Sequence, residues 1–130
     1  MKLYDGLEKI DSIASVYASR GMPGFYPYKV WDKLDSNMVP IVQYPFGNYR
    51  NPVNIAQTAI AFYNQYLKTG DAIERARFLN NINWLMRNHK SYYFRYEFRY
   101  QHAFAPVMEK GWISAMAQGQ GLGALSVAFT

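Results

Sequence analysis

At 130 residues, half of them hydrophobic, the chain is long enough for one domain with a real core, which excludes disorder along its whole length. It has no cysteine, so a disulfide framework and a cysteine-ligated zinc site are both excluded. The formal net charge of +5 favours a polyanionic partner through long-range attraction, and nucleic acid, anionic lipid and acidic polysaccharide all qualify.

In the opening stretch MKLYDGLEKIDSIASVYASRGM, charges recur every few residues. No apolar run there reaches signal-peptide or membrane-spanning length, so the expectation is a soluble chain without a transmembrane segment, its compartment left open. Within residues 5–20, Leu7, Ile10, Ile13, Ala14 and Tyr17 recur at steps of three and four, the pattern of an amphipathic helix, and Gly21 supplies its stop. The next stretch, MPGFYPYKVWDKLDSNMVPIVQYPFGNYRNP, is broken repeatedly by proline and glycine and rich in aromatics. It is expected to be an irregular, aromatic-rich loop.

Asn51 followed by Pro52 signals a helix start, since asparagine caps free amides and proline is tolerated at the first helical position. Ile55, Ala59, Tyr63, Tyr66 and Leu67 then share a face, and Gly70 ends the helix. Asp71 with Glu74 opens a second helix, continued by Ile73, Ala76, Leu79, Ile82, Leu85 and Met86. So short a link forces antiparallel neighbours, an αα-hairpin. Beyond Asn88 the period changes to two: Phe94, Tyr96, Phe98 and Tyr100 alternate with Arg95, Glu97 and Arg99, giving a strand with one aromatic and one charged face. Residues 101–107 are expected to pair back with it, and residues 114–129 read as a further helix.

The twelve tyrosines offer flat apolar faces and hydroxyls, the two properties a sugar-binding cleft uses, although most are expected to fill the core with their hydroxyls at its rim. Gly119 and Gly123 lie four apart and would admit close approach of a helix or a ligand. Gln118 and Gln120 carry amides suited to sugar hydroxyls, or to ordinary packing across a tight helix crossing. A phosphate-binding reading of QGQGLG lacks the lysine and hydroxyl of a P-loop. The two histidines, His89 and His102, have no metal-ligand spacing, and His89 is placed to meet the carbonyls at a helix end. Lys29, Lys33, Arg50, Arg95 and Arg99 either hold carboxylate or sulfate groups or form a solvated face. No nucleic-acid-binding motif accompanies the charge.

Three blocks in order, NPVNIAQTAIAFYNQYLKTGD, then FLNNINWLMRN with YYFRYEF, then GWISAMAQGQGLGALSVAF, together resemble the C-terminal domain of the D-glucuronyl C5-epimerases. SAMAQGQ is the most specific piece. The resemblance spans residues 43–130 and leaves 1–42 as an N-terminal helix and loop. It implies a mainly α fold, αα-hairpins of an incomplete α/α toroid with a short β-hairpin, in a fragment of a larger domain. It also implies conversion of D-glucuronyl to L-iduronyl residues in a heparosan-like or heparan sulfate polysaccharide, by removal and return of the C5 proton. The partner is then an acidic polysaccharide and not nucleic acid, no cofactor or metal is implied, and a homodimer is admitted. The alternative is a non-catalytic module that binds acidic glycan. The family's catalytic glutamate and tyrosines are expected downstream of SAMAQGQ, beyond Thr130, so no catalytic residue is assigned. Gly123, Val127 and Phe129 stand where the family commonly has serine, arginine and tyrosine. The residues expected to contact the glycan are Tyr44, Asn48, Asn51, Trp112, Ser114, Gln118 and Gln120.

Overall fold

The structure, a computed structural model, describes residues 32–101 and 104–129. The helix expected within residues 5–20, together with Gly21, Lys29 and His102, lies outside the described residues. In chain order the elements are β1 (Asp32–Leu34), β2 (Pro40–Tyr44), β3 (Gly47–Tyr49), α1 (Pro52–Thr69), α2 (Ala72–Asn88), β4 (His89–Lys90), β5 (Tyr93–Tyr96), β6 (Trp112–Ile113) and α3 (Ala115–Ala128).

The stretch expected to be an irregular loop instead contains a three-stranded antiparallel sheet, β1-β2-β3. Its first turn is built by Asp35, whose Oδ1 accepts the amides of Asn37 at 2.8 Å and Val39 at 2.9 Å, a side chain doing the work of a backbone turn. Pro40 opens β2 opposite Leu34, the strand-start position where a missing N–H is tolerated. Arg50 closes the sheet from below: its guanidinium meets Asp35 Oδ2 at 2.7 Å and donates to the carbonyls of Val39 and Pro40 at 2.8 and 3.2 Å. Burial pushes the Asp35 carboxyl up, but the amides of Val39 and Asn37 and the Arg50 guanidinium outweigh it and hold the group below its usual 3.8. Because the folded value is the lower one, the stability this carboxylate adds is complete above its unfolded value and is lost as the pH falls through the lowered one. Acid unfolding followed by circular dichroism should therefore show a shallower acid limb in Asp35→Asn than in the parent chain.

The αα-hairpin forms as its caps predict. Asn51 Oδ1 accepts the amides of Val53 and Asn54, Pro52 begins α1, and Gly70 ends it at φ 67°, a left-handed position natural to glycine. Asp71 caps α2 through the Ile73 amide. Helix α1 lies at the centre, packed on both α2 and α3, and buries Ile55, Ala56, Ala59 and Phe62. The inner face of α2 is Phe78, Asn81, Ile82 and Leu85. Ile73, Ala76 and Met86, which the periodicity puts on that face, are exposed. Asn81, wholly buried, explains the rotation: its Nδ2 donates to the Met38 carbonyl at 3.0 Å, and neighbouring Asn80 donates to the Asn37 carbonyl, so α2 turns toward the β1–β2 turn.

After α2 the second sheet, β4-β5-β6, is again antiparallel. Lys90 faces Tyr93, and the two residues between them, Ser91 and Tyr92, have φ of 52° and 66°. This is the mirror-image turn that suits a hairpin, but it is made from residues that resist positive φ. Replacing Ser91 and Tyr92 with asparagine and glycine should raise stability by about 1 kcal/mol in denaturant titration. Residues 101–107 do not form the expected partner strand. β5 pairs with β6 instead, Tyr96 opposite Trp112, and only an isolated bridge joins Tyr100 to Met108.

Three helices with two small antiparallel sheets make this a mixed α and β architecture, which overturns the expectation of a mainly α fold with toroid hairpins. Among the described residues there is one αα-hairpin, α1 with α2. No helix among the described residues is long and apolar enough to cross a membrane.

Candidate functional site

The alternation beyond Asn88 has the expected physical consequence: Phe94, Tyr96 and Phe98 are buried while Glu97 and Arg99 face outward. On the buried side, the rings of the two sheets meet. Tyr44 from β2, Phe46 from the following turn and Tyr49 from β3 approach Phe98 at centroid distances of 4.9, 5.6 and 5.0 Å. Tyr96 and Trp112, opposite each other on β5 and β6, stack at 3.7 Å with planes 5° apart, and Tyr100 lies 5.9 Å from Trp112 on a shallow angle. Phe98, only 4% exposed, sits edge-on to both Tyr96 and Trp112 and so joins the two groups of rings. Such pairs add about 0.5–1.5 kcal/mol each beyond area burial, so the cluster is a rigid platform.

Polar groups fix its geometry. The Trp112 indole donates to the Phe98 carbonyl at 2.8 Å, and the Tyr96 hydroxyl lies 3.4 Å from Ser114 Oγ. Burial pushes the Tyr96 hydroxyl above its ordinary value, partly offset by Ser114, so it is a neutral phenol at physiological pH. Beside this cluster opens a cleft of about 410 Å³, lined by Phe46, Tyr49, Phe98, Arg99, Tyr100, Gln101 and Val107. Its lining combines aromatic rings with a few polar groups, Arg99 and Gln101 among them, the kind of mixture found in small-ligand sites.

The structure brings several of the expected glycan-contacting residues to this platform. Tyr44 belongs to it directly, and its hydroxyl accepts a hydrogen bond from Asn51 Nδ2 at 2.9 Å, so the cap of α1 also positions a platform ring. Trp112 is one of its rings, and Ser114 caps α3 through the Ala117 amide while facing Tyr96. Asn48 is exposed on β3 opposite Gln43. Gln118 sits one layer deeper: its Oε1 accepts the Phe94 amide at 2.9 Å and its Nε2 donates to the Phe94 carbonyl at 2.8 Å, an amide clamp between α3 and β5. Gln120 is half-buried on α3 away from that clamp.

Close approach on α3 occurs at Gly121 and not at the glycines singled out by spacing. A methyl group there would overlap the ring of Phe94, whereas Gly119 and Gly123 have open space where one would go. Among the basic residues, Arg50 is committed to the first sheet, and Arg95 donates to the Gly111 carbonyl at 2.9 Å and lies over the Tyr93 ring. Lys33 is exposed on β1. Among the described members of the set, only Arg99 lines the cleft, and Glu109 Oε1 lies 3.3 Å from its Nε. The residues that sequence reasoning did not reach are Phe46, Tyr49, Gln101 and Val107. The first two lie in the proline- and glycine-broken stretch, where no periodicity marks a face.

Residues 87–130 match the family model described as D-glucuronyl C5-epimerase C-terminus. The matched segment holds β4, β5, β6 and α3, hence the Tyr96–Trp112 stack, the Gln118 clamp and the Gly121 contact. The NPVNIAQ block, which also resembles the family, falls before it. No curated protein and no solved structure matches the chain.

Proposed function

We propose, from the premise that residues 87–130 belong to the C-terminal region of the D-glucuronyl C5-epimerases, that this chain is the glycan-facing part of a polysaccharide epimerase. The match over the second sheet and α3 is the observation that carries the reading. The reaction converts D-glucuronyl to L-iduronyl residues in a heparosan-like glycan. A proton leaves C5, beside the uronate carboxylate, on one face of the ring and another is delivered on the opposite face.

That chemistry needs an acid and a base on opposite sides of the sugar and positive charge near the enolate-like intermediate. Support for a glycan face comes from the platform: Tyr44 and Trp112 offer rings, Asn51 holds Tyr44, Ser114 meets the Tyr96 hydroxyl stacked beside Trp112, and Gln118 ties β5 to α3. Asn48, exposed on β3, and Gln120, half-buried on α3, carry amides suited to sugar hydroxyls. The acid and base are not among the residues assigned here. A second reading, a module that binds acidic glycan without catalysis, keeps the same platform and cleft and needs no acid or base.

Exchange at C5 separates the two. Incubating the full-length protein that carries this chain with heparosan in deuterated water should place deuterium at C5, read by loss of the H5 signal in proton NMR. Retention of polymer by the protein with H5 intact selects the binding module.

A further inference from the structure

Among the described residues, the cleft beside the aromatic platform carries one charged group on its wall, and that group already has a competitor. Arg99 and Glu109 are 67% and 75% exposed, and their side chains meet at 3.3 Å through a single guanidinium nitrogen. A lone, exposed contact of this kind contributes little to stability, because solvent screens it and holding two long side chains together costs entropy. It leaves the rest of a planar, five-donor group available for a better acceptor. The backbone beside it is paired: Tyr100 and Met108 exchange both main-chain hydrogen bonds, at 2.9 and 2.8 Å, in an isolated bridge that sets the neighbouring residues Arg99 and Glu109 side by side. The rings of Phe46, Tyr49, Phe98 and Tyr100, with Gln101 and Val107, form the rest of the wall.

We propose that this cleft is a subsite for a pyranose ring bearing a carboxylate, with the ring lying on the aromatic wall and the carboxylate taking Arg99 from Glu109. The assignment rests on the glycan reading above for its substrate class and adds the residues that select an anionic sugar. A carboxylate binds guanidinium in paired fashion and more strongly than the single contact it replaces. Glu109 therefore acts as an internal competitor: it keeps the arginine in place when the cleft is empty, and a neutral sugar cannot displace it.

The test is binding of the full chain to a heparosan oligosaccharide and to the same oligosaccharide with its carboxylates reduced to alcohols, measured by isothermal titration calorimetry. Arg99→Gln should weaken the acidic ligand about tenfold and leave the reduced one unchanged. Glu109→Gln should tighten the acidic ligand by about two- to fivefold. Both side chains are exposed, so neither variant is expected to unfold, which thermal denaturation of each checks directly. Equal affinity of Arg99→Gln and the parent chain for the acidic ligand overturns the proposal, as does equal weakening toward both ligands or no binding by the parent chain. The readout is separate from C5 exchange. Charge-selective binding without exchange sinks the epimerase reading and leaves the subsite standing, while exchange that survives Arg99→Gln with unchanged affinity sinks the subsite alone.

Discussion

Replacing Gly121 by alanine is expected to destabilise the chain by about 1–3 kcal/mol, although alanine is the better helix former. Propensity alone favours the substitution by about 1 kcal/mol, since glycine in a helix interior gives up the most backbone freedom. Packing reverses the sign. The new methyl would occupy the space of the Phe94 ring, which is 5% exposed and held through its main chain by Gln118, so neither partner can withdraw without opening the seam between α3 and β5. The same substitution at Gly119 or Gly123 meets nothing within 4 Å and should stabilise by about 0.5–1 kcal/mol. Three identical changes on one helix thus have opposite outcomes, and urea denaturation of the three variants reads them side by side. A stabilised Gly121→Ala would mean that β5 and α3 are not in contact at that residue.

Gln118→Leu is expected to cost about 2–4 kcal/mol, because it removes two hydrogen bonds and leaves the amide and carbonyl of a buried residue without those partners. Leucine fills nearly the same volume, so cavity formation contributes little and the loss is chiefly polar. It should be present in full without any glycan, as a lower denaturation midpoint. A Gln118 acting only on sugar hydroxyls would instead leave the unliganded midpoint unchanged and weaken ligand binding. The two readouts separate a residue that holds the platform from one that touches the ligand.

Features fixed by neighbours in sequence were legible in advance. Asn51, Pro52, Gly70 and Asp71 each act on amides or backbone angles within a few residues, so they mark the αα-hairpin without knowledge of the rest of the fold. The two-residue alternation from Phe94 likewise places the aromatic face correctly. Features decided by distant contacts were not. The face of α2 depends on Asn81 reaching the carbonyl of Met38, 43 positions away, and spacing within the helix carries no trace of it. The glycine that matters in QGQGLG is chosen by the register of α3 against Phe94, so the motif marks the helix without naming the contact. The first sheet was hidden because its strands are three to five residues long and interrupted by turn residues, too short for a period to show. Phe46 and Tyr49 were lost with it. Expecting a mainly α toroid followed from family resemblance and not from periodicity, and the sheets on either side of the αα-hairpin correct it.

We propose that acidic glycan meets the chain at the cleft beside the aromatic platform that joins the two sheets. Trp112 and Trp84 provide an internal comparison, because the first is part of the platform and the second packs from α2 against the core. Nitrogen-15 NMR of the chain titrated with a heparosan oligosaccharide should move the Trp112 indole signal progressively and leave that of Trp84 in place. A Trp84 signal that moves while Trp112 stays fixed would contradict the account, as would two signals that stay fixed while the glycan binds.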